Sequence, residues 1–453
     1  MSFLLTLDDV DYQRIFKMRR AQNWVVLGMM YGSYYMLRYN LSFASKTICD
    51  MYNFSNLQLG ILFTAIFWAY AIGQLVNGLL TDRVGGRKMI LYGAVGIILL
   101  NIAFGFGYKF ADGFKVVNAA GNVTYNGLLI YFIIIWLMNG WMQSFGAPSI
   151  VKINGNWFAL KERGVFTGIF GIMIQAGRFG ITILASYLII RYPWQYTFFI
   201  PAIFTLIAAV FTFLHVYDNP EDLGFRPAET DPAVAAAHGD QDHRAATASY
   251  VLKKVLSSPI IWTIAAAYFC TGVVRYGVDN WFPKYLQEVH KLSMDSTIFQ
   301  LTAIGLPISS ILGSIFIGYM SDKMFGGRRG PAGAIYYFAQ VVAIVLFIIY
   351  SGPIISGILL FFISFFVKGP HSLLGGAAAM DFGGRKASGF ASGLIDCFQY
   401  LGVSISSPLI GFLIDKYGWG SWGPSMCIFA VIGGIFMVTM WNAVPMAQAE
   451  KTK

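Results

Sequence analysis

The stretch GLLTDRVGGRK at residues 78–88 returns 240 positions later as GYMSDKMFGGRR at residues 318–329. Each copy ends an apolar run on an acid, passes a base and a pair of glycines, and restarts after two more bases. A turn of this kind, met once in each half, makes the chain a tandem repeat. The two acids are Asp82 and Asp322, followed by Arg83 and Lys323. A second pair keeps almost the same spacing: Arg38 in YYMLRYN and Arg275 in VVRYGVDNW stand 237 positions apart.

The runs around these turns are membrane-like. Hydrophobic residues make up 57% of the 453 positions, aromatic residues 17% and charged residues only 12%, with a mean hydropathy of +0.60, outside the range of a soluble domain. Segments such as GILFTAIFWAYAIGQLVNGLL, LIYFIIIWLMNGWM and YTFFIPAIFTLIAAVFTFLHV approach or exceed the roughly 20 apolar residues that cross a bilayer as a helix. Twelve such segments are expected. The fold class that follows is an all-α membrane protein, with twelve transmembrane helices in two pseudo-symmetric six-helix bundles. The halves are residues 1–216 and 257–453, joined by a polar, proline- and alanine-containing cytoplasmic linker at 217–256. The N-terminal MSFLLTLDDVDYQRIFKMRR lacks a cleavable signal pattern and is expected to form a short interfacial helix leading into the first span.

The net charge of +10 does not call for nucleic acid, because the bases sort by side. With both termini cytoplasmic, twenty lysines and arginines fall in inner loops and seven in outer loops, the bias of the positive-inside rule. Cys49, Cys270, Cys397 and Cys427 have no metal-like spacing.

Five cations stand within or at the edges of spans: Arg38, Lys152, Arg178, Arg275 and Lys368, against two acids, Asp279 and Asp396. An arginine at a helix centre costs about 2.5–3.5 kcal/mol on insertion scales, so it belongs where it faces a bundle interior or an aqueous cavity. The excess is cationic, and the missing partner is an anionic ligand. Guanidinium forks match phosphate oxygens bidentately, so one from each half can clamp a dianion. Helical spacing puts Tyr31, Tyr34 or Tyr35, and Arg38 on one face, and Tyr268, Thr271, Arg275 and Asp279 on another. Lys368 and His371 lie three apart, and Ser388, Ser392, Asp396 and Gln399 form a stripe. For Lys368 and His371 the alternatives are substrate contact and structural pairing with Asp396 or a backbone carbonyl. Lys152 is expected at an inner helix end with its amine snorkelling.

The repeated loop is similar to the signature loop of the major facilitator superfamily. RYGVDNWFPKYLQEVHKLS at 275–293 and GRKASGFASGLIDCFQYLG at 384–402 go further and resemble the organophosphate:phosphate antiporter family, over nearly the whole chain. The resemblance implies that Arg38 and Arg275 bind the phosphate head group. Tyr35, Tyr39, Tyr276, Asn280, Lys368, His371, Asp396 and Gln399 are the expected surroundings, and Asp82, Arg83, Asp322 and Lys323 the gate and loop elements. The chain departs from the family pattern at Tyr39, where a lysine is usual, and at Asn280, where an aspartate is usual. It departs again at Gln74, Thr302 and Ile174.

The expected function is exchange of a small phosphorylated organic metabolite, glycerol-3-phosphate or a sugar phosphate, for inorganic phosphate by alternating access. The competing classes are a membrane sensor of phosphate esters and a proton-coupled carrier of another organic anion using Asp279, His371 or Asp396. No catalytic residue, metal or cofactor is expected. The partners are a small anionic phosphate-containing substrate and the lipid bilayer, without nucleic acid, for a protein functioning as a monomer in a bacterial inner membrane.

Overall fold

The computed structural model describes residues 9–117, 123–158, 163–226, 255–378 and 388–443. Among the described residues there are twelve long helices: α1 (Asp9–Tyr52), α2 (Asn56–Val84), α3 (Gly86–Phe106), α4 (Asn126–Trp157), α5 (Arg163–Arg191) and α6 (Tyr196–His215), then α7 (Pro259–Glu288), α8 (Thr297–Tyr319), α9 (Arg329–Ile349), α10 (Pro353–Ser372), α11 (Ser388–Tyr417) and α12 (Trp422–Thr439). Eleven are long and apolar enough to cross a membrane. The remaining one, α1, carries Arg38, Asn40 and Lys46 in the part that runs beside the others, which lowers its mean hydropathy. Its 44 residues form one continuous helix, so the expected interfacial segment is not a separate element. No proline interrupts this sequence and its first glycine is Gly28, which leaves nothing to break the helix. The protein is an integral, multi-pass membrane protein.

Local chemistry sets the joints. Ser55 and Gln58 form a capping box at the start of α2. Gly85, at φ +103°, turns α2 into α3 in one residue, and Asp218 caps the new helix by accepting from the Arg87 N–H at 2.8 Å. In the second copy of the loop a five-residue π-turn over Met320–Met324 follows α8, and Gly326 and Gly327 take the positive φ values. Arg329 there pairs with Asp322 at 2.6 Å. Arg83 and Lys323 are exposed, while the Asp82 side chain lies outside the described residues. Within α4, the missing N–H of Pro148 leaves the Ser144 carbonyl without its helical donor. The helix bends there, into Asn126–Gln143 and Gly146–Trp157.

Residues 217–226 lie against the N-terminal half, where Trp157 donates to the Tyr217 carbonyl at 2.8 Å and Asn23 accepts from the Tyr217 N–H at 2.8 Å. Inside that half a chain of buried amides joins α1, α3 and α4: Asn40 donates to Asn101 at 2.9 Å and Asn101 to Asn139 at 3.3 Å.

The halves meet along α2–α11, α5–α8 and α1–α7. Close approach needs small residues: a Cβ built on Gly411 of α11 would lie 2.1 Å from the Asn56 carbonyl oxygen of α2. Bonds between the halves gather at the end away from the termini. There the Asp415 carboxylate accepts from the backbone N–H groups of Asn56 and Leu57 at 2.9 and 2.8 Å, and Lys284 donates to Asn56 at 2.6 Å. Toward the middle, aromatic contacts Phe43–Phe282, Phe63–Trp281, Phe67–Tyr276 and Tyr70–Tyr400 continue the seal.

Candidate functional site

Below that seal lie the two arginines. Arg38 and Arg275 are each only 6% exposed, and both come from the middle of a long helix. Arg38 gives its Nε–H to Gln143 Oε1 at 3.0 Å, and Gln143 is held by its own bond to the Tyr34 carbonyl at 3.1 Å. The bend of α4 immediately after Gln143 is what presents this amide. The guanidinium also meets the rings of Tyr35 at 4.8 Å and Tyr70 at 4.4 Å, faces whose negative potential suits a cation. Its Nη2 is buried without a hydrogen-bond partner.

Arg275 sits in a polar setting. Its Nη1 reaches Gln399 Oε1 at 3.2 Å and His371 Nδ1 at 3.3 Å, while Nε is 3.9 Å from Asp279 Oδ2. Gln399 Nε2 and the Tyr268 hydroxyl also point at His371 Nδ1, at 2.9 and 2.6 Å. An arginine has only donors, so this nitrogen acts as the acceptor and the imidazole proton belongs on Nε2. Tyr276 lies under the guanidinium at 4.8 Å.

One helical turn beyond Arg275, Asp279 gathers further cations. Lys368 of α10 donates to Oδ2 at 2.6 Å, and Arg178 of α5 places Nη2 2.7 Å from Oδ1. All three side chains are buried, and Arg178 brings its charge from the opposite half. The expected alternative partner for Lys368, Asp396, is therefore corrected to Asp279. Asp396 instead lies partly buried on α11 near Gly375. The reason is geometric: α7 turns Asp279 toward Lys368 of α10, whereas α11 presents Asp396 to Gly375, beside the Tyr268 hydroxyl.

The other expected residues divide. Tyr35 lines Arg38, and Gln399 and His371 join Arg275 directly. Tyr39 offers its ring to Arg178, at 4.6 Å, and stacks on Tyr35. Its hydroxyl and the Asn280 Nδ2 are buried without partners. Two residues of the expected stripes face elsewhere: Tyr34 donates to the Ile90 carbonyl at 2.6 Å, and Thr271 is bonded to the Tyr337 hydroxyl at 2.5 Å. Lys152 donates to the Thr81 carbonyl at 2.9 Å, away from the site. Ser388 is helical, but its side chain lies outside the described residues. Gln143 and Tyr70 escaped the sequence reading because a neutral amide and a single tyrosine in an apolar run give no signal of cost. Arg178 did give one, through the same insertion penalty as the pair.

The profile of the Major Facilitator Superfamily matches residues 27–407. The chain belongs to that superfamily. It is 28% identical to the glycerol-3-phosphate transporter of Bacillus subtilis strain 168, over 96% of this chain and 95% of the relative. It is 26% identical to a probable hexose phosphate transport protein of Chlamydia pneumoniae, over 96% and 94%. It is also 24% identical to the membrane sensor protein UhpC of Escherichia coli K12, over 97% and 95%. These relatives match the organophosphate:phosphate antiporter resemblance. Among solved structures, the inward-open xylose transporter XylE of E. coli superposes with a TM-score of 0.70 at 16% identity, over 95% of this chain and 96% of that one. That similarity concerns the fold.

Proposed function

We propose that this superfamily member exchanges a small phosphorylated organic metabolite, of the glycerol-3-phosphate or sugar phosphate class, for inorganic phosphate by alternating access. The observation that carries the reading is the pair Arg38 and Arg275: one from each half, buried at mid-helix, each with a buried nitrogen that lacks a hydrogen-bond partner. Buried polar groups are normally satisfied, and an unsatisfied guanidinium nitrogen calls for an anion. A phosphate between the two supplies acceptors for both forks. Tyr35 and Tyr276 then flank it, with His371, Gln399, Tyr39, Asn280, Lys368 and Asp396 as the surroundings of the ester's organic part.

Exchange follows from charge. Closing the cavity over two arginines without an anion buries uncompensated charge, whereas closing it over phosphate neutralises them. The loaded carrier reorients faster than the empty one, so phosphate and a phosphate ester move in opposite directions through one site. We place both termini in the cytoplasm of a bacterial cell, the loops with Asp82, Arg83, Asp322 and Lys323 on that same side, and the linker at 217–256 between two halves of a functional monomer. A phosphate-ester sensor is the second reading, favoured by the similarity to the E. coli sensor. Purified protein in phosphate-loaded proteoliposomes separates the two. Transport predicts accumulation of labelled phosphate by counterflow, competed by phosphate esters, and ester binding without counterflow would replace exchange with sensing.

A further inference from the structure

The cluster one turn beyond the arginine pair holds more positive than negative charge. Asp279 is a single carboxylate shared by Arg178 and Lys368, each within 2.7 Å of one of its oxygens, and Arg275 stands further off at 3.9 Å. The local balance of Arg178, Lys368 and Asp279 is one net positive charge, and all three are at least nine-tenths buried. A small cavity opens on Arg178, Asp279 and Tyr39; of its remaining wall only Thr182 is polar, its hydroxyl already donated to the Arg178 carbonyl at 2.9 Å, and the rest is apolar, including Phe43, Ile181, Phe282 and Leu306. The Tyr39 hydroxyl, 4% exposed for the residue as a whole, has no hydrogen-bond partner. That combination suits one further anionic group and does not suit a polyhydroxylated chain, whose hydroxyls would meet phenyl and aliphatic walls. A guanidinium that already touches one carboxylate still has free donors for a second.

Spacing points the same way. Arg275 and Asp279 are four residues apart on α7, an axial separation of about 6 Å. A phosphate and a carboxylate joined by two or three carbons span a comparable distance. Resting on the phosphate-for-ester exchange proposed above, but replacing its glycerol-3-phosphate or sugar phosphate class, we propose that Arg178, Lys368 and Tyr39 form the subsite for the organic end of the ester and select a phosphate ester that ends in a carboxylate. Asp279 holds the two cations in place and, as a like charge, sets how strongly the subsite attracts that carboxylate.

The test compares two three-carbon esters that differ at one end, 3-phosphoglycerate with its carboxylate and glycerol 3-phosphate with its hydroxyl, as competitors of labelled-phosphate counterflow by the wild-type protein. The expected half-inhibitory concentration is about tenfold or more lower for the carboxylate ester, the size of one charge-assisted hydrogen bond. Equal potency, or preference for glycerol 3-phosphate, overturns the proposal. Lys368→Gln is expected to bring the ratio toward one, and Asp279→Asn to widen it, because the first removes a cation and the second removes the competing anion. Movement of the ratio in the same direction in both variants would mark the cluster as structural only and overturn the proposal. The ratio is internal to each protein, so reduced membrane yield does not mimic it. If a variant is not recovered, the wild-type ratio alone decides. If the wild type shows no phosphate counterflow, the exchange reading fails by itself. The same two esters, compared by thermal stabilisation of the detergent-purified protein, then still decide the carboxylate preference.

Discussion

Arg38 and Arg275 occupy matching places in the two halves, yet their surroundings differ in kind. The first is held by one neutral amide and two tyrosine faces. The second shares a network with His371, Gln399 and Asp279. A repeat that keeps the cation and changes everything around it separates two tasks. Binding an anion at the middle of the bilayer needs a fixed charge from each side, whereas choosing among anions needs groups whose hydrogen bonds and charges can vary. The setting of Arg38 has little to vary, and that of Arg275, with Arg178 reaching Asp279 from the other half, carries the adjustable groups.

The largest expected effect breaks the shared part of that comparison. Arg38→Lys and Arg275→Lys keep a positive charge but lose the planar fork. With charge-assisted hydrogen bonds at ~1.5–3 kcal/mol each, loss of two from either site corresponds to a fall in phosphate exchange of about 100-fold or more. Both variants are expected in the membrane at wild-type levels, because each retains a cation where a cation already stood. Proteoliposome exchange at matched protein density measures the loss. Wild-type rates in either variant would end the clamp as an explanation.

Much of this arrangement is legible in the amino-acid sequence. The repeated loops announced two bundles, and the price of an arginine in an apolar run singled out Arg38 and Arg275. The same reasoning counted Arg178, Asp279 and Lys368 as buried charges, yet it could not pair them. The partners come from α5, α7 and α10, and helical spacing orders residues within a helix, not between helices. That is why Asp396 stood as an alternative partner for Lys368. Asp415 was missed altogether for a related reason: an acid near the end of a helix reads as an ordinary solvated charge, and its partners on α2 are more than 350 positions away.

Asp415 supplies the next test, because the comparison of the two arginine settings depends on the halves being held in this register. Its carboxylate closes the first turn of α2 from the other half, accepting two backbone N–H groups and the Asn56 side chain at 2.8–2.9 Å. A carboxylate in that place satisfies orphan donors and complements the positive end of the helix, together worth about 1–2 kcal/mol. Asp415→Asn is therefore expected to shift the population open at this end by about tenfold. Spin labels at the Asn56 and Asp415 ends of α2 and α11, in a background without the four native cysteines, read this as a longer distance component. An unchanged distance distribution would transfer the closing role to the buried Arg178–Asp279 pair.

The smallest expected effect sharpens the comparison at the level of a single ring. Tyr70 lies 4.4 Å from the Arg38 guanidinium and also meets Tyr400 of the other half at 5.0 Å. Tyr70→Phe keeps the ring face in both contacts and is expected to leave phosphate affinity near normal. Tyr70→Leu removes the face from a desolvated cation, at about 1–2 kcal/mol, so phosphate is expected to bind roughly 5- to 30-fold more weakly. The matching change on the other side, Tyr276→Leu, should cost less, within about threefold, because His371, Gln399 and Asp279 already orient Arg275. Competition binding of labelled phosphate to the three purified variants gives the values directly. Equal losses for Tyr70→Leu and Tyr276→Leu would mean that the aromatic faces serve both arginines alike, and the division between a fixed N-terminal charge and an adjustable C-terminal one would not hold.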